Sequence, residues 1–443
     1  MMPGARLQAA VELLAAIHGG TSPADRVSAA FFRQRRYMGG QDRRDVIDRV
    51  YAVLRRRSAL DWWIDRTPSG PPEDRERARV IASLVLIDGW NADRIAGSFD
   101  GGHYRPDPLD RAEALLARSL AGQPISHPAQ PRWVRLEYPE WLDADLADAF
   151  GERLEAEMSA LMVEASLDLR CNSLKATREE AIAALARDDI IGVPTPLSPL
   201  GLRVRGRPAL AATESFRSGL VEVQDEGSQL IALLTDARPG MRVVDFCAGA
   251  GGKTLALAAA MGNKGSIVAS DVLAGRVERA ATRLRRAGAH NVTRRAISGE
   301  RDPWVKRHAG GFDRVLVDAP CGGSGTWRRN PDAKWRFSRE DLGEVVALQK
   351  RILASAARLV RPGGRLIYAT CSLLSVENQE QVGKFLAGAP DFSSLAIEQV
   401  WGEAIPTTPC PTSGPWLSLT PASHGTDGFF VAVMQRAAVA AKT

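Results

Sequence analysis

The chain has little cysteine, little histidine and no long hydrophobic run. Its five cysteines, Cys171, Cys247, Cys321, Cys371 and Cys410, are odd in number and spread over 443 residues. That argues against a disulfide framework and for a reducing, cytoplasmic compartment. No two cysteines stand at CxxC spacing and the six histidines are scattered, so no metal site is expected. No stretch of about 18 uncharged apolar residues occurs, so no membrane span is expected. The apolar residues Leu14 to Ile17 have Glu12 beside them and repeat at helical spacing. They read as an amphipathic helix rather than a signal sequence.

What is present describes a globular protein. Apolar residues make up 45% and charged residues 25%, which excludes wholesale disorder. The length suits two or three domains. The net charge of +6 permits nucleic-acid binding without requiring it.

Residues 1–122 read as helical throughout, in stretches such as AAVELLAAIH and DVIDRVYAVLRRR. Between Arg33 and Arg57 lie nine arginines against three aspartates. Such a run is either a solvated helix face or a surface for phosphates. Pro124, Pro128 and Pro131 mark a linker. A small α/β region is expected over 132–236. Over 237–436, strand-like and helix-like segments alternate (MRVVDFCAG, KTLALAAAMG, SIVASDV, FDRVLVDAPC, GRLIYATCS). That alternation predicts an α/β fold with a mostly parallel sheet covered by helices.

VVDFCAGAGGKT (243–254) is a strand, a glycine turn and a helix start. Gly249, Gly251 and Gly252 let a ligand approach the backbone, and the helix start offers free N–H donors. The spacing is not GxGxxG, and Asp245 and Lys253 flank the turn. Asp271, ending the next strand, is placed either to accept ribose hydroxyls or to cap the following helix. DAPCGGSGTW (318–327) and YATCSLL (368–374) each put a cysteine at a strand end. Ligands gather at the carboxyl ends of parallel strands, so both thiols are expected at the same crevice as the glycine turn. Either cysteine alone could be merely structural; two in this position weaken that reading.

At these residues the chain resembles the RsmB-type RNA 5-methylcytosine methyltransferases. The stretches concerned are FCAGAGGKT, SDVLAGRVERA, FDRVLVDAPCGGSGTWRRNPDAKW, RPGGRLIYATCSLLSVENQEQV, VQDEGSQL and GTDGFFVAVMQR, within about residues 130–436. The resemblance implies a Rossmann-like S-adenosylmethionine methyltransferase domain with a small α/β subdomain. It implies transfer of a methyl group to carbon 5 of a cytosine, with small-subunit ribosomal RNA as the leading substrate. A thiolate adding to carbon 6 makes carbon 5 nucleophilic, and the adduct must afterwards lose its carbon 5 proton and expel the thiol. By the same resemblance Cys371 is the nucleophile, Cys321 assists release, Asp318 touches the cofactor and target-base region, and Pro320 fixes the turn. Cys247, Ala248, Gly249, Ala250, Gly251, Gly252 and Lys253 form the cofactor loop. Asp271 holds the ribose and Arg276 is a basic position on the next helix. The acidic residue beside the adenine falls in AISGERDPW (296–304), at Gly299 or, shifted by one, at Glu300; Glu300 is the expectation.

WRRNPDAKWRFSR (327–339) interleaves Trp327, Trp335 and Phe337 with Arg328, Arg329, Lys334, Arg336 and Arg339. It suits phosphates and unstacked bases, or else a loop packed on its domain. SAAFFRQRRYMGGQDRRDVIDRVYAVLRRR (28–57) resembles a NusB-like RNA-binding domain, which implies that the helical part grips RNA. A monomer is expected. Three other readings compete: a methyltransferase for another base or for protein, a nicotinamide oxidoreductase, and a non-catalytic RNA-binding factor.

Overall fold

Apolar side chains at helical spacing set the architecture of the first third of the chain. A computed structural model describes residues 1–68 and 70–438, which divide into two compact units. One unit is Met1–Val163 together with Trp327–Ser338; the other is Glu164–Thr326 and Arg339 onward. Among the described residues no helix is long and apolar enough to cross a membrane.

In the first unit, helices Pro3–His18, Gly40–Arg55 and Arg75–Leu86 pack through buried Leu13, Leu14, Val46, Val50, Ile81 and Leu84. Helix Arg111–Ser119 starts at a capping box formed by Asp110 and Glu113. The prolines of 124–131 do lie in an irregular loop, but the unit does not end there. Helices Asp143–Phe150 and Leu154–Met162 continue it, burying Leu146, Phe150, Leu154 and Met158. Glu137 ties this extension down. Its carboxylate accepts the backbone N–H groups of Ser58 (2.9 Å) and Ala59 (3.1 Å), at the start of helix Arg57–Ile64. The compact helical unit thus runs on past the proline-rich loop to Val163, because the helices on both sides of that loop share contacts.

The second unit holds two sheets. The smaller contains β1 (Leu167–Cys171), β2 (Gly192–Pro194), β3 (Gly201–Val204) and β4 (Val221–Val223), in the antiparallel order β2-β3-β1-β4. The larger contains β5 (Arg242–Asp245), β6 (Ser266–Asp271), β7 (Val292–Ala296), β8 (Phe312–Asp318), β9 (Val360–Thr370), β10 (Phe392–Ser394), β11 (Trp416–Leu419) and β12 (Phe429–Arg436). Its order is β10-β12-β9-β8-β5-β6-β7, with β11 beside β12. β5 to β9 run parallel; β12 enters antiparallel to β9. This is the mostly parallel, helix-covered α/β sheet that the alternation predicted.

Side chains alternate across the sheet. Val243, Leu316 and Ile367 face one core with Leu230, Leu257 and Val431. Val244, Val315, Val317, Leu366 and Tyr368 face the other with Ile352, Leu353 and Ala356 of helix Arg339–Ala357. Burial on both faces explains why these strands are apolar runs rather than alternating ones. The smaller sheet is tied to the larger: Glu222 of β4 pairs with Arg283 and Arg286 of helix Ala274–Ala287, and Asn172 Nδ2 donates to Ala287 O at 2.8 Å.

Candidate active site

The carboxyl ends of β5, β6, β8 and β9 carry Asp245, Asp271, Asp318 and Thr370. From Asp245 the chain turns through 246–251 into helix Gly252–Ala260. Gly249 and Gly251 take positive φ values of 55° and 80°, which any side chain would strain. At Gly251 an added Cβ would also meet Ala280 at 3.1 Å, while at Gly249 it would meet open space. The turn is pinned by Asp271, whose Oδ2 accepts Gly249 N–H at 3.0 Å and whose Oδ1 accepts Leu273 N–H at 2.8 Å. Ala248 N–H donates to Ser270 O at 2.9 Å, and Arg283 Nη1 donates to Ala250 O at 2.9 Å. Helix Ala274–Ala287 has no side-chain cap, so Asp271 is not its N-cap.

Behind the turn, Asp245 is buried. Its Oδ2 accepts the Thr254 hydroxyl at 2.6 Å, and its Oδ1 has no hydrogen-bond partner. Burial pushes its pKa up to about 7, against the Thr254 hydrogen bond. An unpaired buried carboxylate oxygen, an open glycine backbone and a free helix start fit a cationic ligand carrying a ribose. Burial likewise raises the Cys247 thiol, with Arg276 opposing it electrostatically from the next helix.

Lys253 Nζ lies 2.6 Å from Asp318 Oδ2. Burial works against its charge, but Asp318, with help from Asp245 and Cys371, holds its pKa above the usual lysine value. The two cysteine turns leave the sheet side by side because Asp318 pairs with Ala369 in the β8–β9 register. Ala319 N–H donates to Ala369 O at 2.8 Å and Gly325 N–H to Cys371 O at 2.9 Å. The Sγ atoms of Cys321 and Cys371 are then 3.4 Å apart. The Cys321 thiol is held well above its ordinary pKa, first by its hydrogen bond to Cys371 and then by burial and by Glu377.

Several residues here were not singled out from the sequence. Glu377 is fully buried. Its Oε1 accepts Gly322 N–H at 2.8 Å and Gln349 Nε2 at 3.0 Å, and its Oε2 accepts the Ser372 hydroxyl. Gln349 Nε2 also donates to Pro320 O at 2.9 Å. Gly325 and Gly428 approach backbone to backbone, with Gly428 N–H donating to Gly325 O at 2.8 Å. The stretch SVENQEQV contained Glu377, but its spacing gives no sign that the side chain folds back under the cysteines.

Two features singled out from the sequence have partners elsewhere. Glu300 is not a free carboxylate. The Asp302 side chain accepts Ser298 N–H at 2.9 Å and closes the backbone there, and the Glu300 carboxylate goes to Arg351 Nε at 3.0 Å. It lines a basic groove with Arg301, Lys306, Arg351 and Arg358. The segment Trp327–Ser338 is not a free basic loop either. It belongs to the helical unit, where Trp327, Arg328, Asp332 and Lys334 are buried. Arg55 Nη1 donates to Arg328 O at 2.6 Å, Asp332 Oδ2 accepts Ala24 N–H at 3.0 Å, and Trp335 Nε1 donates to Leu54 O at 3.3 Å. Lys334 faces buried Glu137. Of the arginine run, Arg35 pairs with Glu12 and Arg49 with Asp88, and Arg43 donates to Met38 O; Arg33 and Arg36 stay exposed.

Residues 232–435 match the family described as 16S rRNA methyltransferase RsmB/F, and residues 138–210 its ferredoxin-like domain. The chain is 31% identical over 426 residues to a probable ribosomal RNA small subunit methyltransferase B of Synechocystis, covering 91% of this chain and 93% of that one. Among solved structures, that of PH0851 matches with a TM-score of 0.75 and 26% identity over 98% of this chain and 99% of that one. A methyltransferase homolog protein from Pyrococcus horikoshii matches with a TM-score of 0.58 and 28% identity, over 69% of this chain and 97% of that one.

Proposed function

The chain belongs to the 16S rRNA methyltransferase RsmB/F family, and from that premise we propose that it methylates carbon 5 of a cytosine in small-subunit ribosomal RNA through a bond from Cys371 to the base. It is an S-adenosylmethionine-dependent rRNA methyltransferase. The finer reading rests on one observation: two thiols 3.4 Å apart, beside the Lys253–Asp318 pair, at the mouth of the glycine turn.

The cofactor, when bound, supplies an electrophilic methyl group. Asp245, the 247–253 turn and Asp271 are the residues to hold it. Cys371 adds as thiolate to carbon 6 of the cytosine. Asp318, paired with Lys253, can accept a hydrogen bond from a protonated ring nitrogen 3 or from the exocyclic amine. Once Cys371 is bonded to the ring, the hydrogen bond between the two sulfurs that holds the proton on Cys321 is lost. Cys321 can then release that proton to solvent and take the one on carbon 5. As it does so, the bond from Cys371 to carbon 6 breaks and returns Cys371 as thiolate. A lone cysteine would have to serve as leaving group with no thiol beside it to act as base.

The helical unit, with exposed Arg33 and Arg36, is the part proposed to grip RNA outside the reacting nucleotide. Five unpaired cysteines and a ribosomal substrate suit a cytoplasmic site of action.

The test is methylation in vitro of small-subunit RNA from cells lacking the gene, with the product mapped by bisulfite sequencing. One or a few cytosines should become resistant, and Cys371→Ser should yield none. Methyl transfer to another base, to a ribose or to protein would refute the assignment.

A further inference from the structure

We propose that Glu377 is a positioning residue that fixes both reactive cysteines with one carboxylate, a role that rests on the covalent reading of the site. Its two oxygens serve two different turns. Oε1 takes the N–H of Gly322, the residue after Cys321, and Oε2 takes the hydroxyl of Ser372, the residue after Cys371. Gln349 braces the first turn a second time, donating both to Oε1 and to the carbonyl of Pro320, the residue before Cys321. The second turn is braced again by Asn378, which donates to Ser372 O at 2.8 Å. The backbone of Glu377 is itself held, since Tyr368 donates its hydroxyl to Glu377 O at 2.7 Å.

Every side-chain or backbone group that meets the carboxylate is a donor, as an ionised carboxylate requires. Charge-assisted hydrogen bonds of this kind are about twice as strong as neutral ones, and here they join two strand ends rather than decorating one. A buried carboxylate is costly unless its oxygens are satisfied. A fold that needed only packing at this point would put an apolar side chain there. The cost is accounted for if the charge has a second effect, and it does. Glu377 is one of the groups that keep the Cys321 proton in place. The ionisable groups facing Cys321 are Cys371 on the neighbouring turn, Glu377 beneath it and Tyr368 on β9, and the Gly323 N–H opposes them. Glu377 thus sets where the two sulfurs stand and helps decide which of them carries the proton.

The experiment compares full-length wild-type protein with Glu377→Gln and Ser372→Ala. Glutamine keeps the size and one acceptor but removes the charge. Turnover on RNA is measured with separate KM values for RNA and cofactor. Separately, the pH dependence of iodoacetamide labelling at Cys321 is read by peptide mass spectrometry, with every protein carrying Cys371→Ser and no RNA present. For Glu377→Gln, kcat should fall by about ten- to a hundredfold, the loss of one charge-assisted hydrogen bond, with both KM values within about twofold. Cys321 should label at lower pH than in the parent. Ser372→Ala, which keeps the charge, should lower kcat less and leave the Cys321 profile where it was. Retained turnover in Glu377→Gln, a loss confined to KM, or an unmoved Cys321 profile would each overturn the role given to Glu377. The labelling arm uses no RNA and no adduct, so it reports on Glu377 even if Cys371 proves not to bond the base.

Discussion

The Sγ atoms of Cys321 and Cys371 stand 3.4 Å apart although 50 positions separate them in the chain. The β8–β9 register brings them together: once Asp318 pairs with Ala369, the residues that follow each strand must run out side by side. The hydrogen bond between the two sulfurs, together with burial, raises the Cys321 thiol well above its ordinary range.

Lys253 and Asp318 should fail together. Lys253 is half-buried and Asp318 is its 2.6 Å partner. Lys253→Met and Asp318→Asn should each lower kcat by about a hundredfold or more, and the double variant should be little worse than either single one. Steady-state kinetics on the three proteins checks this. Multiplying losses would mean that the two residues act separately.

Asp245 makes the protein sensitive to pH near neutrality. Its folded pKa of about 7 lies above its unfolded value. The folded protein therefore keeps a proton that the unfolded chain has lost, and stability falls as pH rises from about 4 to about 7. Asp245→Asn should flatten that slope in urea unfolding. A cationic ligand beside the carboxylate favours its ionised form, so cofactor affinity in the wild type should weaken as pH drops below about 7 and be level above it. Calorimetric titration across this range, on wild type and Asp245→Asn, reads both the trend and its loss.

Gly325 and Gly428 leave no room for a side chain. A Cβ on Gly325 would overlap the Gly428 carbonyl, and one on Gly428 would lie 2.7 Å from the Gly325 Cα. Gly325→Ala should shift the turn that carries Cys321 and cost on the order of a hundredfold in kcat. Gly343→Ala, on an open helix face, should be silent. Parallel assays of the two variants decide it.

Within the helical unit, Glu137 and Lys334 form a buried pair. Burial pushes Glu137 up to about 7 and Lys334 down to about 8. Lys334→Met strands a buried carboxylate and should cost about 3 kcal/mol of stability, and Glu137→Gln should be similarly harmful. The double variant should be more stable than the sum of the two losses implies, which urea unfolding of the four proteins would show.

The parallel sheet was legible because its strands are largely apolar runs ending in Asp245, Asp271, Asp318 and Thr370, with helices between them. The two cysteines were legible as a pair because both sit where strands end. Glu377 was not, since nothing in local spacing says that a carboxylate six residues past Cys371 folds under both turns. Trp327–Ser338 misled for the opposite reason. Arginine, lysine and tryptophan look like an RNA-contacting loop, yet the same residues pack in the helical unit when Glu137 and the Leu54 carbonyl are there to receive them. The Arg351 partner of Glu300 was not legible either, because it lies far along the chain.

The measurement that tests the central claim most directly is trapping of the protein on its RNA. Full-length Cys321→Ala, incubated with S-adenosylmethionine and unmodified small-subunit RNA, should run on a denaturing gel as a protein–RNA band. That band should vanish when Cys371→Ser is added. No band, or a band that survives the loss of Cys371, would contradict the assignment of the two sulfurs.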